Sequence, residues 1–388
     1  MSSSCSICGA DAVELLLDLG SQPLSNRFPE SAVADQDRVP FRFGCCRNCG
    51  VARFIDPPAP ELIRPKVDWI RYNEPEGHLD DMVDQLIVMD GVNTGCAFLG
   101  ISYKEESTLQ RLNERGYPNT RLLDLGIEDP RAGIETIQEQ MTEETVEVDC
   151  ADVIIVRHVL EHAQNTKQTV AALNKMLRPG GVIVYEVPDN TGLFENHEVC
   201  FLWEEHVLYF VPSTFRQTLG LFGYETEWMN NYAYPLENAL VAFVRPAEVG
   251  RRHRAVAEQA FLAASIFVST LEQDRARIRA GLAELRASGK TIAVFGAGHL
   301  AAKFINFYEV GEYLEFVADD HPGKQNKFMA GSGLPILPGS ELKTRNIDLA
   351  LMSLNPESEE KVMAKVGAMA PDLEFVSMFR SNPRSFLK

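Results

Sequence analysis

Four cysteines stand in two pairs near the start of the chain, Cys5-Ser-Ile-Cys8 and Cys46-Arg-Asn-Cys49, each followed by a glycine, Gly9 and Gly50. Two such knuckles supply the four thiolates that tetrahedral Zn²⁺ takes, and the repeated glycine lets each backbone turn towards its sulfurs. Four protein ligands leave no position for a substrate, so the metal expected at Cys5, Cys8, Cys46 and Cys49 is structural. Cys45 is a spare thiol beside the second knuckle, but only Cys46 has the right spacing to Cys49. A second chemical pattern, Gly296-Ala-Gly-His-Leu-Ala301, sets a glycine turn between a strand and a helix. Such a turn lets a helix N-terminus face phosphate, so Gly296, Gly298, His299 and Lys303 are candidate contacts for a sugar-nucleotide pyrophosphate or for NAD. Alanine stands where a dinucleotide fingerprint has its third glycine, which makes the NAD reading weak.

The elements that hold these groups can be read from period and punctuation. Residues 1–58 carry the knuckles and close on Asp56-Pro-Pro-Ala-Pro60, a run that cannot continue a helix, so they form a small metal-stapled module. Apolar runs then alternate with helical patterns, as in parallel strands joined by crossover helices. Strands are expected over 96–102, 121–125, 153–156 and 182–186, helices over 108–115 and 168–177, and a turn at Arg178-Pro-Gly-Gly181. These predict an α/β domain with a doubly wound sheet over residues 59–250. Helical spacing of Ala, Arg, Glu and Leu makes 251–290 a bridging helix, and a Rossmann-like unit follows over 291–388, with a strand over 314–318 ending in Asp319 and Asp320.

A chain of 388 residues with 45% hydrophobic residues is long enough for two or three cored domains. Its net charge of -18 repels polyphosphate backbones, and without a basic patch no nucleic-acid partner is expected. The start, Met-Ser-Ser-Ser-Cys5, has no basic or apolar leader, and no later stretch reads as a membrane span of roughly 18–20 apolar residues. Few and scattered cysteines fit reduced thiols. The expectation is a cytoplasmic protein, monomer or weak homodimer, with a small-molecule partner.

The stretch Ala151-Asp-Val-Ile-Ile-Val-Arg-His-Val-Leu-Glu-His162, followed by Leu177-Arg-Pro-Gly-Gly-Val-Ile-Val-Tyr-Glu-Val-Pro-Asp189, resembles the later motifs of class I S-adenosylmethionine-dependent methyltransferases. Joined to the cysteine module and the C-terminal glycine turn, the order resembles the three-domain family of nucleotide-sugar C-methyltransferases over essentially the whole chain. Leu17-Asp-Leu-Gly20 with Gln22-Pro-Leu-Ser-Asn-Arg-Phe28 matches that family's N-terminal segment, and Phe316-Val-Ala-Asp-Asp-His-Pro-Gly-Lys-Gln325 with Pro335-Ile-Leu-Pro338 its C-terminal module. The resemblance implies a zinc-binding module, a middle domain for S-adenosylmethionine, and a Rossmann-like C-terminal domain against the sugar nucleotide. The implied reaction is methylation at C3 of a nucleotide-linked keto-deoxysugar. Cofactor-binding positions are then Gly100, Ser102, Asp124, His158 and Glu161. Substrate contacts are Asn26, Tyr72, Gly296, Gly298, His299 and Lys303, the turn now favouring a sugar nucleotide.

Trp203-Glu-Glu-His-Val-Leu-Tyr-Phe210 looks like the family's Tyr-x-Glu-His-x-x-Tyr stretch. Trp203 stands where the family has a tyrosine and cannot accept a proton, so His206 inherits the role of base, with Glu205 and Tyr209 in support. In a 4-keto sugar the C3 hydrogen is acidified by the adjacent carbonyl, and an imidazole that titrates near neutrality suits its removal. The chain departs from the class I pattern at Leu99-Gly-Ile-Ser-Tyr-Lys-Glu-Glu-Ser107, where only Gly100 remains of a glycine-rich loop. This leaves a second expectation, a sugar-nucleotide-binding protein with a decayed cofactor loop and no methyl transfer.

Overall fold

The computed structural model describes residues 4–33, 36–67, 70, 74–128, 133–368 and 370–387. They fall into two compact units, each drawn from three stretches of chain. The first comprises Met1–Leu16, Phe43–Gly192 and Glu205–Ala264, and the second Leu17–Arg42, Leu193–Glu204 and Ser265–Lys388.

The first knuckle precedes β1 (Val13–Pro23), and the second is the turn that joins β2 (Arg38–Cys46) to β3 (Ala52–Ile55). After them come β4 (Phe98–Gly100), β5 (Thr120–Leu122), β6 (Ala151–Arg157), β7 (Leu177–Asp189), β8 (Leu208–Tyr209), β9 (Tyr224–Tyr232) and β10 (Asn238–Pro246). One sheet has the order β1-β2-β3-β8, and a six-stranded sheet has the order β5-β4-β6-β7-β10-β9. Strands β5, β4, β6 and β7 are mutually parallel, whereas β10 runs antiparallel between β7 and β9.

The apolar run of β6 is continuous because both faces of the sheet are covered. Val153 and Ile155 point to one side, with Leu79, Met82, Leu86, Leu109 and Leu112 of the helices Leu79–Ile87 and Glu106–Glu114. Ile154 and Val156 point to the other, with Val170, Leu173 and Met176 of the helix Thr166–Met176. Asn165 starts that last helix, its side chain accepting from Gln168 N–H at 3.2 Å. Beyond it, Arg178-Pro-Gly-Gly181, expected as a turn before a strand, is absorbed into β7. There Leu177 pairs with Ala151 and Val182 with Val153, so the extra residues bulge, with Gly180 at φ 79°.

In the second unit β11 (Ile292–Phe295), β12 (Val317–Ala318), β13 (Ile336–Leu337), β14 (Leu349–Met352) and β15 (Glu374–Ser377) make a five-stranded sheet of order β13-β12-β11-β14-β15. Every pairing in it is parallel, and this is the doubly wound order of a Rossmann sheet.

The expected bridging helix is present as Arg254–Ser269 and Leu271–Ala287. By length and composition alone Arg254–Ala287 is long and apolar enough to cross a membrane, which corrects the sequence reading that no such stretch exists. Its second half, however, carries Glu272, Asp274, Arg275, Arg277, Arg279, Glu284 and Arg286. Buried Asp274 is ion-paired with Arg277 and Arg380 there, a pattern that bilayer hydrocarbon disfavours.

Candidate active site and metal centre

The two knuckles fold alike. Gly9 N–H donates to Cys5 O and Gly50 N–H to Cys46 O, each at 2.8 Å, and both glycines sit at positive φ, 69° and 76°. That left-handed conformation suits glycine and turns each chain back over its sulfurs. Cys5 Sγ lies 3.7 Å from Cys49 Sγ, and Cys8 Sγ lies 3.7 Å from Cys46 Sγ. A tetrahedron with Zn–S bonds of about 2.3 Å has an S–S edge of about 3.8 Å. The four sulfurs therefore fit a structural Zn²⁺. Asn48 Nδ2 donates to Cys8 Sγ at 3.1 Å, the kind of outer bond that steadies a thiolate ligand. Cys45 stays out of the set: it donates to Gly50 O at 3.3 Å, and burial pushes its thiol up to about 12.

In the first unit the C-terminal ends of β5, β4 and β6 lie side by side, with Gly100 paired to both Leu122 and Ile155. The chain leaves β4 towards β5 and returns on the opposite side as β6, so the crevice beyond these ends is the switch point where open α/β sheets bind ligands. Ser102, Asp124 and His158 all follow directly on these strand ends.

Glu105 occupies the turn after β4. Its Oε2 accepts from Ser102 N–H and Oγ–H at 2.6 and 2.8 Å, and its Oε1 accepts from Arg157 N–H at 2.6 Å. A Cβ on Gly100 would stand 2.6 Å from Glu105 Cβ, so glycine is required there to admit the chain's own carboxylate. Burial pushes that carboxyl up to about 7 against the pull of its donors. Asp124 is exposed, with one oxygen accepting from Gly126 N–H at 2.8 Å. Its other oxygen takes no hydrogen bond from the described residues and can meet ribose hydroxyls.

His158 is 4% exposed and in the left-handed region at φ 49°. Its Nε2 is 2.9 Å from Glu186 Oε1 and its Nδ1 3.2 Å from Glu161 Oε1. Burial would lower its pKa, but the charge of Glu74 and the bonds to Glu161 and Glu186 win and raise it to about 10, so it is an imidazolium at neutral pH. Glu161 Oε2 is buried without a hydrogen-bond partner among the described residues. His78 reaches the same Glu186 oxygen at 3.3 Å.

Glu205 is 4% and Tyr209 2% exposed. Tyr209 packs edge-on to Phe43 and opposes Ala52 across β8 and β3, as a core residue does. His206 is different: within residues 202–210 it alone is partly exposed. Its ring meets His162 edge-on, with centroids 4.8 Å apart, and stands 6.4 Å from Tyr209. His162 in turn places Nδ1 3.1 Å from Glu135 Oε1. Burial opposes the charge on Glu135, yet the bond to His162 holds its carboxyl below the usual range.

The second unit gathers most of the residues expected to touch the substrate. Glu204 accepts from Ser25 N–H at 2.6 Å and from Lys303 Nζ at 2.6 Å, and Asn26 beside Ser25 is 8% exposed. Lys303, expected as a phosphate contact, is instead a buried ion-pair partner, its ammonium 4.6 Å from the centre of the Phe41 ring. Trp203 stacks on His299 with centroids 4.4 Å apart. Gly296 has φ 103°, and a Cβ there would meet Leu354 Cδ2 at 2.8 Å, so the turn needs glycine. Gly298 caps the helix His299–Phe307. Ala297 N–H already donates to Asp319 Oδ2 at 2.8 Å. Tyr72 lies outside the described residues.

Sequence reasoning missed Glu105, Arg157, Glu186, Glu135 and His162. Only His162 had a local signal, its spacing of four from His158 in the His-Val-Leu-Glu-His run.

The six-stranded sheet, with its crevice at the ends of β4 to β6, is that of a class I S-adenosylmethionine-dependent methyltransferase. Three family models match the chain: "Putative zinc binding domain" over residues 5–63, "Methyltransferase domain" over 95–228 and "C-methyltransferase C-terminal domain" over 252–377. In this order they are the modules of the three-domain C-methyltransferase family, to which the chain belongs. No curated protein sequence matches it. Among solved structures it is similar to 1,6-didemethyltoxoflavin-N1-methyltransferase of Burkholderia thailandensis, at 11% identity over 44% of this chain and 78% of that one, TM-score 0.32. It is also similar to a SAM-dependent methyltransferase from Aquifex aeolicus, at 9% identity over 45% of this chain and 95% of that one, TM-score 0.31.

Proposed function

We propose that the protein transfers a methyl group from S-adenosylmethionine to C3 of a nucleotide-linked keto-deoxysugar, with His206 as the base. The observation that carries this reading is the exposure of His206 alone in an otherwise buried stretch, its ring against a second imidazole. A general base must reach its proton and be held in one orientation, and partial exposure with a neighbouring ring supports that role for His206. The cofactor supplies an electrophilic methyl group on a sulfonium. His206 takes the C3 proton, the electron pair delocalises onto the adjacent carbonyl oxygen, and C3 then forms its bond to the methyl carbon as the thioether leaves. On this reading Ser102, Asp124, His158 and Glu161, at or near the ends of β4, β5 and β6, are the cofactor's contacts.

Glu105 favours a second reading. The turn that usually lets a cofactor approach bare backbone is filled here by a buried carboxylate. A protein whose loop has closed in this way would bind a sugar nucleotide without methylating it.

Calorimetric titration with S-adenosylmethionine, followed by incubation with 4-keto-6-deoxy sugar nucleotides, separates the two. Binding and transfer of label support the enzyme; sugar-nucleotide binding with no cofactor binding supports the closed loop. Glu105→Ala adds a check, because a gain of cofactor affinity in that variant identifies the carboxylate as the obstruction.

A further inference from the structure

The cluster around His206 has a composition that proton abstraction alone does not require. Glu161, His162 and His206 each bring one ligand atom within 4.8 Å of the other two. Two imidazoles and a carboxylate are a common donor set for a divalent transition ion, which keeps a further position open. Zn–N and Zn–O bonds of about 2.0–2.2 Å put such ligand atoms roughly 3.3–3.6 Å apart, so side-chain adjustments of about an ångström close the set.

Two independent features point the cluster at a cation. Glu161 is 1% exposed, and its Oε2 has no hydrogen-bond partner among the described residues. A buried carboxylate oxygen without a donor is costly and gains most from a positive ion. His162 places Nδ1 3.1 Å from Glu135 Oε1, and in the tautomer that donates this hydrogen bond Nε2 carries the lone pair. A carboxylate behind the far nitrogen of a histidine is the arrangement that orients metal-ligating imidazoles.

We infer that Glu161, His162 and His206 form a second Zn²⁺ site, distinct from the Cys₄ centre, and that its occupancy switches the enzyme off. The inhibitory consequence rests on His206 being the base. A metal bond uses the imidazole lone pair that must receive the C3 proton, so a loaded site has no base. Zinc thus acts in two opposed ways on one chain, required at the cysteines and inhibitory at the histidines.

The test starts from the purified protein with its Cys₄ zinc in place, dialysed against micromolar Zn²⁺ with metal content read by mass spectrometry. The expected result is a rise from one to two ions per chain. His162→Asn and Glu161→Gln return it to one, and Glu135→Gln weakens the second ion by about 10–100-fold. Cobalt added to the one-zinc protein should give the weak visible bands of nitrogen and oxygen ligation, without the intense thiolate charge-transfer bands of a cysteine site. Methyl transfer should fall as the second ion binds and recover with a mild chelator. A wild-type content that stays at one, or a second ion retained by both His162→Asn and Glu161→Gln, overturns the site. Loading to two ions with undiminished transfer overturns the inhibition. If two ions bind but no transfer occurs even in the one-zinc protein, the site stands and the assigned reaction fails.

Discussion

Arg157 and Glu186 face each other at paired positions of β6 and β7, with Nε 2.5 Å from Oε2 and Nη2 3.2 Å from Oε1. Both side chains are at most 1% exposed. The remaining guanidinium nitrogen, Nη1, donates to Lys104 O at 2.6 Å, tying the loop after β4 to the end of β6. The same carboxylate holds His158 and His78, so one acid organises the crevice end of the sheet.

Removing one member of this pair leaves a buried charge unmatched. Glu186→Gln and Arg157→Met should each lower unfolding free energy by about 3–5 kcal/mol in urea titrations. A loss under about 1 kcal/mol for both would mean that water reaches the pair and that it does not order the crevice.

Cys8→Ser should strip the ion bound by the cysteines, whereas Cys45→Ser should leave metal content unchanged, since Cys45 bonds to Gly50 O instead. Metal analysis of the two purified variants decides this, and zinc retained at wild-type stoichiometry in Cys8→Ser would refute the Cys₄ assignment.

His206→Asn keeps the size of the ring's inner half but cannot take a proton at neutral pH. Turnover should drop by about 10²–10⁴-fold with S-adenosylmethionine affinity unchanged. A variant that turns over within threefold of wild type would move the base elsewhere.

Glu105 has a folded pKa raised to about 7 by burial, above its ordinary value of 4.5. A raised carboxyl favours the folded state while it is protonated. Its contribution is therefore complete below about pH 4.5 and is lost as pH climbs through about 7, at up to about 1.4 kcal/mol per pH unit. Relative to Glu105→Gln, the wild type should lose about 3 kcal/mol between pH 4.5 and 7.5, measured by denaturation at each pH. Parallel stability curves for the two proteins would show that Glu105 is ionised throughout.

The parts of this molecule legible in its sequence are those specified locally. Val153-Ile-Ile-Val156 announces a strand covered on both sides, and its residues do alternate between two cores. The cysteine knuckles announce a tetrahedral donor set, and the sulfurs lie at the spacing of one. What stayed hidden depends on contacts between distant segments. Nothing near Glu135 signals that it will stand behind His162, 27 residues away. Nothing beside Glu204 signals that Ser25, 179 residues earlier, will donate to its carboxylate. Lys303 stands where a helix N-terminus could offer it to phosphate, but the same carboxylate draws it inside. Glu105 escaped notice because glycine loops are read for what they admit, and here the occupant comes from the loop itself.

The discontinuity of the two units has a consequence for how the chain is made. The first is not complete until Ala264 has been added, and the second waits for residues near the C-terminus although its earliest strand segment begins at Leu17. A ribosome emitting this protein therefore exposes unsatisfied apolar strand surface for most of synthesis, at roughly 5–20 residues per second. Early capture of zinc by Cys46 and Cys49 on nascent chain, with Cys5 and Cys8 already outside, would pin the first long-range closure before either sheet can finish, so zinc supply during translation should govern the yield of native protein.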